Sequence, residues 1–385
     1  MNTQEAKELV VQAGRRLVET GLIVRTWGNV SCRIDGGQFA ITPTGRDYLS
    51  LKPEDIVVVQ TSDLSYAGAV KPSSEKGIHA AVYKRRPDVN FVIHTHQKNA
   101  SAVSAMNLPF IELPEGRVIC AAYGLPSTKK LRNGVIDALA LSTKNAIIMK
   151  NHGALCFGKD YEETFCAASD LERFCENYIK AVYLQNSGRS GYDPRSMRQF
   201  ALGLEEHPAM PSASPFESEQ TAGGFHIRYA NGASADIPFD GPAGALTTDE
   251  KIVREIYLKN KNIYYVIYTS TPNIVTVSCK NISLPPLLDD FAQLAGSSVR
   301  TMDEDPSRIA SALKNTQAVM IRNKGVLCCG GSKEDASAVS LVMEKNCEAY
   351  IAASLTGKIK PINHFECLLM RFIYLRKYSN LANIK

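Results

Sequence analysis

Residues 92–101, VIHTHQKNAS, place His94 and His96 two positions apart at the end of an apolar run that reads as a β-strand. On a strand, residues i and i+2 share a face, so the two imidazoles stand side by side, as two ligands of one metal ion require. His152, in MKNHGALCFG, ends another predicted strand just before Gly153, where close backbone approach is cheap and a third imidazole could converge. Three imidazoles leave one coordination position open, the arrangement of a catalytic rather than a structural zinc site. An HxH pair alone is more often a surface or packing feature, so the chemistry rests on what accompanies it.

Glu75 lies in PSSEKGIH at an expected helix start, where the helix dipole favours a carboxylate and equally a bound phosphate. His79, four residues on, can share a face with Glu75, but its spacing suits a supporting or packing role and it stays outside the ligand set. Asn29 in TWGNVS, and Thr42, Thr44 and Gly45 in TPTG, fall in turns. Side-chain donors and backbone N–H groups in such turns commonly bind oxyanions.

The scaffold for these residues is legible in the periodicities. Leu9, Val10, Ala13 and Leu17 recur at helical spacing over residues 4–20 and stop before Gly21. NVSCRI and FAITPT read as two strands of a hairpin around Asp35-Gly36-Gly37. SSEKGIHAAVYKRRP reads as a helix capped by Ser73 or Ser74 and stopped by Pro87. NAIIMKNHGALCFG is a strand, a turn and a strand, followed by a long helix opened by the capping box Asp160-x-x-Glu163. Helices alternating with sheet predict a layered α/β domain.

The 385 residues exceed one ordinary core, and the chain repeats itself. MKNHGALCFGKDYEETFCAASDLERFCENYIKA (149–181) aligns without a gap on IRNKGVLCCGGSKEDASAVSLVMEKNCEAYIAA (321–353), and VNFVIHTHQKNASAVS aligns on IYYVIYTSTPNIVTVS at nearly the same offset. Two domains of one fold are therefore expected at 1–190 and 214–385. They are joined through a Ser-, Pro- and Gly-rich connection at 191–213. In the second copy Tyr268, Ser270, Lys324 and Asp249 stand where the first has His94, His96, His152 and Glu75. An amine in place of a ligand imidazole repels a cation, so the second copy is expected to hold no metal.

Taken in order, GNVS, TPTG, PSSE, HTH and NHG resemble the class II aldolase/adducin family, over most of the first half. The resemblance implies a three-layer α/β/α domain with a mostly antiparallel central sheet, occurring here twice. It implies Zn²⁺ or another divalent cation held by His94, His96 and His152, with Glu75 as the catalytic carboxylate. Asn29, Thr44, Gly45, Ser73 and Ser74 would hold a substrate phosphate. The implied reaction is cleavage of a ketose 1-phosphate to an aldehyde and dihydroxyacetone phosphate through an enediolate, in a homo-oligomer. A sugar-phosphate 4-epimerase, which typically carries Asp where this chain has Glu75, a decarboxylase or dehydratase of the same family, and an adducin-like assembly protein remain alternative readings. YGLPSTKK at 123–130 departs from the fuculose-phosphate enzymes and leaves the aldehyde open.

Composition narrows the setting. Apolar residues make up 44% and charged residues 22%, the balance of a soluble globular chain, with no apolar run long enough to cross a bilayer. The start, MNTQEAKELV, lacks a secretory pattern, and ten scattered cysteines without a CxxC pair suit reduced thiols, so a cytoplasmic location is expected. A net charge of +5, spread along the chain, gives no basic patch for nucleic acid.

Overall fold

The computed structural model describes residues 1–23, 27–34, 37–211 and 214–377. The chain forms two compact units, Met1–Val182 and Tyr183–Gly357, with the C-terminal residues divided between them and Pro361–Leu375 in the second. The first unit runs α1 (Thr3–Glu19), β1 (Asn29–Arg33), β2 (Gln38–Ile41), β3 (Val57–Gln60), α2 (Lys76–Arg85), β4 (Phe91–Thr95), α3 (Lys98–Ser104), β5 (Phe110–Leu113), β6 (Gly116–Ala121), α4 (Lys129–Leu141), β7 (Ala146–Met149), β8 (Gly153–Gly158) and α5 (Tyr161–Ser187). Its eight strands form one sheet in the order β3-β2-β1-β4-β8-β7-β6-β5, antiparallel throughout except for the β6–β7 pair.

The expected hairpin is β1–β2, with Ser31 opposite Ile41, although residues 35–36 of its turn lie outside the described residues. Every residue of β4 and β8 is buried, because helices cover both faces of the sheet. Leu155 and Phe157 join Ile78, Val82, Leu131 and Val135 of α2 and α4 in one core, while α1 packs on β1 and β2, and α3 on β7 and β8. The result is the expected α/β/α layering.

Two caps differ from the sequence reading. The α2 helix begins only after Glu75, and neither serine caps it: the Ser73 hydroxyl accepts from the Glu75 N–H at 3.2 Å, inside the turn that precedes the helix. Asp160 does cap α5, accepting from the Glu163 N–H, but the Glu163 carboxylate reaches back to the Lys159 N–H, one residue before the usual capping-box partner.

The second unit contains α6 (Pro194–Leu202), β9 (Phe216–Gln220), β10 (Gly224–Tyr229), β11 (Ser234–Pro238), α7 (Thr248–Lys259), β12 (Tyr265–Thr269), α8 (Pro272–Ser278), β13 (Ser283–Leu284), α9 (Asp289–Leu294), β14 (Val299–Met302), α10 (Pro306–Ala312), β15 (Ala318–Ile321), β16 (Gly325–Gly330), α11 (Lys333–Leu355) and α12 (His364–Lys377). Its sheet order, β11-β10-β9-β12-β16-β15-β14-β13, repeats the first strand for strand. The stretch read as a connection carries α6, capped by Asp193 and ended by Gly203, which packs on α8 and α11. Serine and proline pointed to a linker there, but Met197 and Leu202 supply a short buried face.

Candidate metal centre and active site

His94 occupies β4 at the middle of the first sheet, opposite Asn29 on β1 and Leu155 on β8. His96 follows just past the strand end, its N–H donating to the Leu22 carbonyl at 3.0 Å. His152 sits in the β7–β8 turn after Asn151, whose φ of 57° is a left-handed conformation that asparagine tolerates better than most residues. Gly153 is required next: a Cβ there would strike the Thr95 carbonyl oxygen. The turn thus drives the third imidazole against the first two. One ligand nitrogen from each of the three histidines lies within 4.8 Å of the others. The His94 and His152 rings stack at 4.7 Å, with His96 inclined by 65° to both.

Glu75 closes the group. Its Oε1 lies 3.2 Å from His152 Nε2 and its Oε2 3.6 Å from His94 Nε2. All four side chains are buried. The donor set suits a divalent cation. His94 Nδ1–H donates to the Ala154 carbonyl at 2.9 Å, which turns the Nε2 lone pair toward His96 Nε2, also 2.9 Å away. Burial holds His94 well below the ordinary imidazole range, Glu75 only partly opposing it. Burial pushes Glu75 upward, yet His94, His152 and the Asn29 amide together bring it well below the usual carboxylate range. An imidazole kept neutral by burial cannot itself supply the charge that keeps a buried carboxylate ionised. A divalent cation held by the three nitrogens would supply that charge, and the residues fit one.

Glu75 is further fixed by a chain of hydrogen bonds whose direction follows from counting protons. The ionised carboxylate only accepts, so Asn29 Nδ2 donates to Oε2 at 3.0 Å and presents Oδ1 to His79. His79 Nε2–H therefore donates to Asn29 Oδ1, and its Nδ1 accepts from Ser31 Oγ–H at 2.6 Å. Ser31 Oγ in turn accepts from Tyr83 O–H at 2.7 Å. Burial holds His79 down at about 4, with Glu75 partly opposing, so the imidazole is neutral as this chain requires.

The three loop motifs meet beside this chain. Thr44 N–H donates to the Lys71 carbonyl and Ser73 N–H to the Thr42 carbonyl, at 3.0 and 2.9 Å, which staples the TPTG turn to the PSSE turn. The Thr42 hydroxyl accepts from the Val30 N–H at 3.2 Å and ties both to GNVS. Gly45 takes φ 71° in the first turn, and the exposed Ser74 accepts from the Ser127 hydroxyl at 2.7 Å. Thr44, Gly45, Ser73 and Ser74 thus lie in two turns held side by side. Asn29, expected to serve phosphate, has its amide nitrogen on Glu75 and its Oδ1 on His79. Sequence reasoning missed Ser31, Tyr83 and Ser127. The spacing of His79 and Tyr83 along α2 was the available sign for the first two. Ser127, with φ 65°, had none.

In the second unit the same place is filled by packing. Tyr268, opposite Phe216 on β9 as His94 is opposite Asn29, stacks on that ring at 5.3 Å. Lys324 pairs with Glu304, and among the described residues no cluster of potential metal ligands forms there.

The Class II Aldolase and Adducin N-terminal domain matches residues 8–179 and again 232–351. A 5-deoxy-D-ribulose 1-phosphate aldolase of Bacillus thuringiensis serovar kurstaki is 31% identical over 46% of this chain and 84% of its own length. A 5-methylthioribulose-1-phosphate/5-deoxyribulose-1-phosphate aldolase of Escherichia coli O45:K1 is 35% identical over 45% and 83%. A solved L-fuculose 1-phosphate aldolase structure is 27% identical over 50% of this chain and 92% of that one, with a TM-score of 0.42. The chain belongs to the class II aldolase and adducin family, as a tandem duplicate and a lyase of the class II aldolase type.

Proposed function

We propose that the first unit is a zinc-dependent aldolase that cleaves a ketose 1-phosphate to an aldehyde and dihydroxyacetone phosphate. The convergence of three imidazole nitrogens within 4.8 Å, with the Glu75 carboxylate against them, carries this reading. His94, His96 and His152 would hold the cation, which when bound supplies Lewis-acid stabilisation of the enediolate charge. Thr44, Gly45, Ser73 and Ser74 would anchor the phosphate, and we reassign the Asn29 side chain to holding Glu75. Glu75 would take the hydroxyl proton from the carbon that leaves as aldehyde and return it to the carbon left behind, as the bond between them breaks. Substrate entering between Glu75 and the imidazoles would weaken the contacts that hold its pKa down, and burial would then raise the carboxylate toward a working base.

We place the catalytic domain at 1–190 and the metal-free domain at 214–385, in a cytoplasmic homo-oligomer. Metal analysis of protein purified without added metal, followed by a screen of ketose 1-phosphates for aldehyde and dihydroxyacetone phosphate, tests the proposal. Release of both products, lost with chelator and restored by Zn²⁺, is expected. A metal-loaded protein that cleaves no ketose 1-phosphate but epimerises a sugar phosphate would overturn it.

A further inference from the structure

The two units end their first hairpin differently. Ile41 lies opposite Ser31 as Ile227 lies opposite Ser218, and Asn29 lies opposite His94 as Phe216 lies opposite Tyr268, so Gly28 matches Pro215 and Thr44 matches Ala230. In the second unit the ladder simply continues, and the Pro215 carbonyl accepts from the Ala230 N–H at 2.7 Å. In the first unit the chain leaves the sheet to form the TPTG turn, and the Thr44 N–H goes to the Lys71 carbonyl instead. The Gly28 carbonyl has lost its ladder donor and needs another. Tyr48 supplies it. Its side chain is buried, with the ring against Gly14 of α1, and its hydroxyl donates to the Gly28 carbonyl at 2.5 Å.

Thr42 completes the arrangement. Its hydroxyl accepts from the Val30 N–H at 3.2 Å and leaves its own proton for the Tyr48 oxygen. Burial pushes the Tyr48 hydroxyl well above its ordinary range, the bond with Thr42 only partly opposing it, so Tyr48 keeps the proton it donates. The Gly28 carbonyl and the Val30 N–H belong to the two peptide groups on either side of Asn29. Both are therefore held. The same backbone lies hard against β4, since a Cβ at Gly28, with φ 124°, would come within 2.7 Å of the His94 carbonyl oxygen.

We infer that Tyr48 and Thr42 are positioning residues: by clamping the backbone around Asn29 they fix the amide that holds Glu75 beside the three imidazoles. The β1–β4 register decides the face on which the Asn29 side chain stands, and the clamp limits how far its amide can swing. A misplacement of about 1 Å at a reacting group costs on the order of 100-fold in rate. The second unit serves as the control. Phe216 stands for Asn29 there, and the places of Val30 and Thr42 are taken by Glu217 and Arg228, a directly opposed pair on the ladder. The copy without the chemistry has no such clamp.

The inference rests on the aldolase reading for the kinetic half of its test. With the ketose 1-phosphate that the protein cleaves, Tyr48→Phe and Thr42→Val should each lower kcat by about 10- to 100-fold while KM and metal content hold. Thr42→Ser, which keeps the hydroxyl, should restore the rate. In an Asn29→Ala background neither Tyr48→Phe nor Thr42→Val should cost anything further, because both act through that amide. The other half needs no substrate. In metal-free protein labelled with ¹⁵N-asparagine, the Asn29 side-chain amide protons, identified by their absence in Asn29→Ala, should exchange slowly with solvent. Tyr48→Phe and Thr42→Val should abolish that protection, and Thr42→Ser should keep it. An unimpaired kcat in Tyr48→Phe, full additivity with Asn29→Ala, or unchanged amide exchange would overturn the clamp. A wild type that cleaves no ketose 1-phosphate would end the aldolase reading and leave the decision on the clamp to the amide exchange alone.

Discussion

Replacing His79 with valine, the residue at the corresponding position 253 of the second unit, separates the hydrogen-bond chain behind Glu75 from mere packing. His79 is fully buried and its pKa falls to about 4 from 6.5. Above pH 6.5 the folded and unfolded chains agree in leaving it neutral. As pH falls from 6.5 toward 4, the unfolded chain takes up a proton that the folded chain refuses, and stability is lost. Between pH 7 and pH 5 that difference is about 2 kcal/mol. The chain has a single tryptophan, Trp27, in the first unit, so urea unfolding followed by its fluorescence reports on this unit. Metal-stripped wild type should therefore lose about 2 kcal/mol more than His79→Val between the two pH values. At pH 7 the variant should itself be less stable, by about 1–3 kcal/mol for each of Asn29 Oδ1 and the Ser31 hydroxyl left without its His79 partner. Parallel pH dependences in the two proteins would refute both the neutral imidazole and the proton order from Glu75 to Tyr83.

The remaining expectations concern the metal, the base and the second unit. Protein purified without added metal should carry about one divalent ion per chain, and His94→Ala with His96→Ala should carry none by mass spectrometry; a metal that survives would sink the ligand set. Glu75→Gln should keep the metal and the substrate KM while kcat falls by about 10²–10⁴, the usual worth of a positioned base; an unimpaired kcat removes that role. Tyr268→Ala should destabilise the second unit by about 3–5 kcal/mol, through loss of the ring stacked on Phe216, and leave metal content untouched.

The fold was readable because its signals are local or repeated. The hairpin, the strand–turn–strand at Gly153 and the duplication all follow from residue spacing, and the matching strand orders bear them out. The helix α6 was not readable, because nine residues with one buried side cannot outweigh flanking serines and prolines in a sequence pattern. At the site, the imidazoles were legible because two lie two residues apart at the end of a strand and the third before a glycine. The commitment of Asn29 to Glu75 was not, because it depends on register: Asn29 lies opposite His94 across the β1–β4 ladder, and only that pairing turns its amide toward residue 75. Turn chemistry and the family resemblance pointed it to phosphate.

Comparison of the two units separates what the sheet needs from what the reaction needs. A Cβ at Gly153 would strike the Thr95 carbonyl, and one at Gly325 would strike the Thr269 carbonyl, so both glycines are required by the same strand crossing. Asn151 and Asn323 both hold φ 57°. The Ser31–Tyr83 pair has a counterpart in Ser218–Tyr257, where the tyrosine hydroxyl donates to the serine carbonyl at 2.8 Å and lies 3.2 Å from the serine hydroxyl. The glycines and asparagines serve the backbone and persist in both copies. The residue between each asparagine and glycine has no such duty, and there His152 becomes Lys324. In the same way Asn29, Glu75, His79, His94 and His96 give way to Phe216, Asp249, Val253, Tyr268 and Ser270. Of these replacements, Phe216, Val253 and Tyr268 join one apolar core, closing with side chains the space that the first unit leaves to imidazoles and a carboxylate. The NHG motif is therefore two parts scaffold and one part chemistry, and the second unit keeps only the scaffold.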